Sequence, residues 1–307
     1  MPIIDILIPA VLALTMFGVG TSLEIGDFRE IAAKPRLVGL GLGLQMLFLP
    51  VTAIAIALLL PISPAWKMGI LILALCPGGA TSNFISYLLE LRTALSISLT
   101  AINSVLILVT IPLGVSLGAL LFLGKEAELA LPVMDTVSNV LLVVLVPVAL
   151  GLLFHHQFKD LSERLKQPTK IITTTLLALV FGIKFFAGEE HGGSQITGSD
   201  MLALGPIMLV FHGFTMMVSY WAAGRLRATA YDAITIGIEV GLQNTALALL
   251  IASVMLADAE MTKPTLVYAI FSFFTTLAFG YLAKRYSDRR VSKNGKIIQG
   301  KDKRGHS

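Results

Sequence analysis

Cys76-Pro77-Gly78-Gly79-Ala80-Thr81-Ser82-Asn83 and Gly237-Ile238-Glu239-Val240-Gly241-Leu242-Gln243-Asn244 are polar, glycine-bearing interruptions, each near the middle of a long apolar run. Pro77 removes a backbone donor, and two glycines follow it. The second stretch places a carboxylate, two amides and glycine at the same relative depth. Backbone facing lipid must satisfy its own hydrogen bonds, so such breaks occur only inside protein or beside a water-filled cavity. A proline kink by itself is an ordinary bend. Pro-Gly-Gly with Ser-Asn, mirrored by Glu-Val-Gly-x-Gln-Asn, reads instead as a pair of broken membrane helices around a midplane site.

Outward from these stretches the chain is apolar almost throughout. Of 307 residues, 55% are hydrophobic and 14% charged, with a mean hydropathy of +0.83. Soluble domains carry about 25% charged residues. A soluble globule cannot hide that much apolar surface, and a disordered chain is far more polar. The single cysteine, Cys76, excludes a disulfide scaffold and a cysteine-rich zinc module. A helix needs about 20 apolar residues to cross the hydrocarbon core. Nine runs meet that length: 3–23, 37–60, 66–89, 93–123, 134–156, 171–188, 201–223, 231–256 and 264–283. They lack the short alternation of a transmembrane barrel. The expectation is an all-α polytopic membrane protein of nine transmembrane helices with short connectors.

Lys and Arg set the orientation. With the C-terminal tail in the cytoplasm, 19 Lys/Arg lie inside, including Lys34, Arg92, Arg225 and nine after Tyr281. Only Lys67, Lys125 and Lys263 lie outside, and Lys184 falls within a span. The N-terminus is then outside. The tail, 284–307, is polar enough to lie free in water, and its charge suits an anionic leaflet rather than nucleic acid. No cleavable signal pattern opens the chain, since Asp5 stands where a basic region belongs. A bacterial inner membrane is the simplest location, and no obligate protein partner is evident.

Span three is second from the end of the first four spans, and span eight second from the end of the last five. Those two groups start on opposite sides of the membrane and read as an inverted repeat whose first half lacks its opening helix. Glu239 is the only acidic residue near the centre of a span; Asp5, Asp135 and Asp232 lie at span ends. A mid-membrane acid costs about 2.5–3.5 kcal/mol on insertion scales and marks function by default. Its alternative is a structural ion pair with Lys184. Oxygen-bearing side chains with one negative charge suit a hard cation. Gln243 lies one turn from Glu239, and Ser96 and Thr100 share a face of span four, with Asn103 and Ser104 on the next turn. Gln45 lies midway along span two. His212 reads as a neutral histidine bonded to a neighbouring helix or as a proton relay, and Cys76 as a packing residue. Trp66, Trp221 and Tyr281 sit where interface anchors belong.

These motifs resemble the bile acid:sodium symporter family over nearly the whole chain, from Met16-Phe17-Gly18-Val19-Gly20 through span nine. The resemblance implies a panel domain and a core domain. Residues 1–23 and 134–188 form the panel. Residues 37–123, with the broken span 66–89, and 201–283, with the broken span 231–256, form the core around two crossing helices. It implies the nine-span form, and two sodium ions. The first site takes Ser82, Asn83, Ser96, Thr100 and Glu239. The second takes Gln45, Glu239, Gln243 and backbone carbonyls at Val240 and Leu242. On the substrate side it implies Asn244 and the Gly79-Ala80-Thr81 backbone. Thr275 and Thr276 stand where bile-acid-binding relatives carry a larger polar pair, so bile acid is only one of the candidate organic anions, beside pantoate and pyruvate.

The function so implied is sodium-driven symport of an organic anion by alternating access. Proton coupling or efflux on the same fold is the nearer alternative. An intramembrane enzyme, for which Cys76 and His212 are the sole candidate pair, is the more distant one.

Overall fold

The computed structural model describes residues 3–21, 34–124, 138 and 141–302. Residues 22–23 of the first predicted run, most of 134–140 in the fifth, Arg29, Lys125, Asp135 and residues 303–307 lie outside that range. Every regular element among the described residues is helical. In chain order these are α1 (Ile3–Gly20), α2 (Pro35–Gly43), α3 (Leu49–Leu59), α4 (Pro64–Leu75), α5 (Ala80–Leu88), α6 (Thr93–Phe122), α7 (Val146–Gln157), α8 (Lys159–Phe186), α9 (Gly198–Arg225), α10 (Ala230–Gly241), α11 (Thr245–Leu249) and α12 (Lys263–Asp302). One π-helical turn, Leu44–Phe48, joins α2 to α3; another, Leu141–Leu145, precedes α7; a third, Leu250–Met255, follows α11.

Among the described residues six helices are long and apolar enough to cross a membrane, or seven when the bent pair α4–α5 is taken as one span. The shorter apolar helices Ile6–Gly20 and Leu141–Gln157 fall on the first and fifth predicted runs. Two boundaries differ from the apolar runs. α8 begins at Lys159, well before the run at 171, because its polar first turns continue the helix outside any apolar window. α12 continues to Asp302, through most of the polar tail. Hydropathy registers lipid contact, whereas the backbone ladder continues wherever no breaker stops it.

The exterior is apolar and the interior carries the polar groups. Leu47, Leu59, Leu202 and Phe274 are exposed, while Ser82, Ser96, Thr100, Asn103, His212 and Glu239 are buried. The α10–α11 segment is the most enclosed: 89% of its apolar window is buried inside protein, against 11% to 33% for the five other long spans. α4 is enclosed as well, from Met68 through Leu75.

The two broken segments run in opposite directions. At one end of the bundle Lys34 Nζ lies 2.8 Å and Arg92 Nε 3.7 Å from Asp232 Oδ1 at the start of α10. There Lys284 also reaches the Leu89 carbonyl and Glu90 after α5. At the other end Trp66 of α4 donates to Glu260, which follows α11, and Lys263 pairs with Glu260 and Asp200. Helix α4 thus starts where the α11 segment ends.

Helix α1 packs chiefly on α7 and α8, with Ile8, Val11, Leu12, Met16 and Val19 forming its buried stripe. The approach to α7 is backbone to backbone. A Cβ at Gly20 would meet the Val148 carbonyl, and one at Gly151 would meet the Phe17 carbonyl and the Thr21 nitrogen. Overpacking of this kind costs about 1–3 kcal/mol. Gly151→Ala is therefore expected to lower the thermal unfolding midpoint in detergent, whereas Gly182→Ala, with nothing near its Cβ position, leaves it unchanged.

Candidate functional site

The breaks meet at the centre of the bundle. α4 ends at Leu75 and α5 starts at Ala80, bent by 56°. α10 ends at Gly241 and α11 starts at Thr245. The Asn244 N–H donates to the Pro77 carbonyl at 2.9 Å, joining one break to the other. Gly78 lies against Glu239, where a Cβ would meet the carboxylate and, at 3.1 Å, the Glu239 carbonyl oxygen. Gly79 lies beside Asn244, its Cβ position 3.5 Å from Nδ2. Two helix C-terminal ends and two N-terminal ends therefore converge. The former favour cations and the latter anions.

Glu239 accepts from two hydroxyls on α6: Ser96 Oγ donates to Oε2 at 2.6 Å and Thr100 Oγ1 to Oε1. Asn83 Oδ1 stands 2.8 Å from Ser96 Oγ and 3.3 Å from Thr100 Oγ1. Five oxygens thus share two hydroxyl protons, since the carboxylate and the amide carbonyl only accept. Ser96 cannot donate to Glu239 and Asn83 at once, so lone pairs face each other. A hard cation resolves that conflict. The Ser82 hydroxyl is used at the α5 N-terminus, donating to the Gly79 carbonyl at 2.8 Å and accepting from the Gly79 N–H at 3.1 Å. The partners of Glu239 among the described residues are these hydroxyls, not Lys184.

The second expected group also assembles. Gln45 Nε2 donates to Gln243 Oε1 at 2.8 Å and to the Cys76 carbonyl at 2.9 Å. Gln243 Nε2 donates to the Val240 carbonyl at 2.5 Å. Gln45 Oε1 is buried with no hydrogen-bond partner. The Leu242 N–H closes α10 on Ile238, leaving Leu242 in extended backbone at the break. The hydrogen bonds of Glu239 run to the first group, not to Gln45 or Gln243.

On the substrate side, Ala80 and Thr81 are exposed, Gly79 is buried, and Asn244 is half-buried with its Oδ1 capping the Leu247 N–H at 3.0 Å. Thr275 and Thr276 turn elsewhere: their hydroxyls lie 2.9 and 3.3 Å from His212 Nε2. His212 Nδ1 lies 2.9 Å from the Gly241 carbonyl, which can only accept, so Nδ1 carries a proton. The histidine bridges α9, the α10 end and α12. Cys76 Sγ is buried against the Ile72 carbonyl and does not meet His212.

Tyr268, which the sequence reading does not single out, is fully buried; its hydroxyl donates to the Gly241 carbonyl and accepts from the Gln243 N–H at 3.2 Å. The one signal for it is a phenol inside span nine, away from the interfaces where tyrosines collect.

The sequence profile of the Sodium Bile acid symporter family matches residues 9–191. A Bacillus subtilis (strain 168) protein described as an uncharacterized sodium-dependent transporter, YocS, is 28% identical over 284 residues, 92% of this chain and 83% of its own. The ileal sodium/bile acid cotransporter of Oryctolagus cuniculus is 24% identical over 288 residues, 92% of this chain and 81% of its own. A probable chloroplastic sodium/metabolite cotransporter of Arabidopsis thaliana, BASS1, is 26% identical over 259 residues, 84% of this chain and 62% of its own.

Proposed function

Since the chain belongs to the Sodium Bile acid symporter family, we propose that it is a symporter that moves a small organic anion inward with two sodium ions by alternating access. It is a multi-pass membrane protein and a sodium-coupled transporter by family, not an enzyme. The observation that carries the finer reading is the oxygen cluster at the crossing, where Glu239, Asn83, Ser96 and Thr100 present more lone pairs than protons. Among the described residues no three His, Cys, Asp or Glu side chains gather, so the donors favour an alkali cation over a transition metal.

In this reading one ion is held by Ser82, Asn83, Ser96, Thr100 and Glu239. The other is held by Gln45, Gln243, Glu239 and the Val240 and Leu242 carbonyls. The chain spans nine times, with its N-terminus outside and C-terminus in the cytoplasm of a bacterial inner membrane. Helices α1, α7 and α8, which pack on one another, are the panel; the remaining helices are the core, its halves an inverted repeat. Sodium offsets the charge of Glu239 and fixes both breaks. The α5 and α11 N-terminal ends, with Asn244 and the Gly79–Thr81 backbone, then take the anion's charge. At the α11 level the panel–core seam is lined by Ile8, Val11, Leu177 and Val180 against Ala246 and Leu249, too closely to admit water. Ala80 and Thr81, on the other side of the crossing, are exposed. That asymmetry suits a conformer closed outward and open inward. With a monovalent anion one net charge enters per cycle, and a 100 mV inside-negative potential contributes about 2.3 kcal/mol.

Substrate class follows by screening. Purified protein is expected to gain thermal stability from its anion, bile acid or a small carboxylate, only when sodium is present. Uptake of that anion into proteoliposomes is expected to collapse when external sodium is replaced by choline. Undiminished uptake in choline, rising with an inward proton gradient, would replace sodium coupling by proton coupling.

A further inference from the structure

Asn103 on α6 is buried, and neither its Oδ1 nor its Nδ2 has a hydrogen-bond partner. A buried amide left unpaired at both ends is costly, and its neighbours locate what it faces. Helices α2 and α6 leave the same end of the bundle, where Lys34 and Arg92 converge on Asp232. They run in the same direction. Leu99 of α6 packs on Gly41 of α2, its Cδ2 2.8 Å from the Cβ position. Four residues onward along each helix stand Asn103 and Gln45, so the two amides are level, and α6 packs against the π-helical turn that carries Gln45. Gln45 is the other buried amide with an orphan: its Nε2 faces Gln243 Oε1 and the Cys76 carbonyl, and its Oε1 has no partner.

That orientation puts NH2 hydrogens among carbonyl oxygens. For Gln45 to act as a sodium ligand beside Gln243, its amide must turn over and bring Oε1 to the ion. The NH2 group then points where Oε1 now stands and needs an acceptor. We propose that Asn103 is a positioning residue whose side-chain carbonyl accepts the Gln45 NH2 and holds that amide oxygen-inward when sodium binds. This rests on the two-ion reading above and adds a residue outside both ion shells. Partners of this kind orient metal ligands and their loss costs about 10- to 100-fold in affinity.

The test is sodium titration of purified protein, read as thermal stabilisation, with the ion alone as ligand. Asn103→Leu is expected to raise the half-saturating sodium concentration about 10-fold. Asn103→Asp, which keeps an acceptor and adds a negative charge, does not raise it. In a Gln45→Leu background Asn103→Leu has no further effect, because the interaction it removes is already gone. Unchanged half-saturation in a folded Asn103→Leu protein, or losses that add in the double variant, would overturn the proposal. So would an Asn103→Leu or Asn103→Ala protein unfolded equally with and without sodium, which marks a purely structural role. Glu239→Gln run in parallel separates the two layers. If it removes the sodium response while Asn103→Leu does not alter it, only the positioning role falls. If it leaves the response intact, the sodium sites themselves fall.

Discussion

Glu239→Gln is expected to abolish sodium-induced stabilisation and sodium-driven uptake while leaving a folded protein. The amide keeps the shape of the carboxylate and can still accept from Ser96 or Thr100, the two hydroxyls that now contact it. It removes the negative charge that makes the cluster a cation site. In sodium-free buffer the variant should be at least as stable as the parent, because a buried acid with no counter-charge costs about 2.5–3.5 kcal/mol at mid-membrane on insertion scales. The parent should gain about 2.7 kcal/mol per ion at sodium one hundred times its Kd, and the variant nearly none. Thermal unfolding with and without sodium reads both quantities. A sodium increment of equal size in the two proteins would refute the assignment of Glu239.

Gly78→Ala should be nearly as damaging by a steric route. The added methyl would meet the Glu239 carboxylate, with its carbon 2.8 Å away, and the Glu239 backbone oxygen at 3.1 Å. Backbone on both sides is fixed: Asn244 is bonded to Pro77, and Glu239 lies in α10. The side chain must move, and a shift of about 1 Å in a preorganised site can cost on the order of 100-fold. Half-saturating sodium is expected to rise by that order. Gly43→Ala, whose Cβ position has nothing nearby, is the control and should titrate like the parent. Equal titrations of the two variants would mean that the breaks do not approach as closely as described.

What the sequence disclosed was contiguous in it. Pro77-Gly78-Gly79 and Val240-Gly241-Leu242 declare their breaks locally, because proline and glycine act on their own backbone. Glu239 stands out because an acid in the middle of an apolar run is costly and so marks function by default. Gln45 was legible as a polar residue in a span, but its bond to Gln243 joins residues far apart in the chain, and no local pattern encodes that. The same holds for Thr275 and Thr276. Their hydroxyls could serve any neighbour, and the packing of α9 on α12 gives them His212. The early start of α8 escaped because a polar helical stretch such as Lys159–Lys170 has the composition of a loop, and only its backbone ladder distinguishes it.

The Asp232 cluster bears on what moves. Its carboxylate is shared by Lys34 and Arg92, and the Arg92 N–H also donates to Thr235 at 3.1 Å. That staple ties the root of α2, the corner before α6 and the root of α10, so in the proposed cycle the elements carrying both breaks move as one piece. On the α1 and α8 side Ile8, Val11, Leu177 and Val180 face Ala246 and Leu249, and Lys170 Nζ lies 3.4 Å over the Phe84 ring. Aliphatic contacts are non-directional, so in the proposed cycle these side chains can exchange neighbours. In the proposed cycle the stiffness lies where the ions would be held and the slip plane where the cargo would pass.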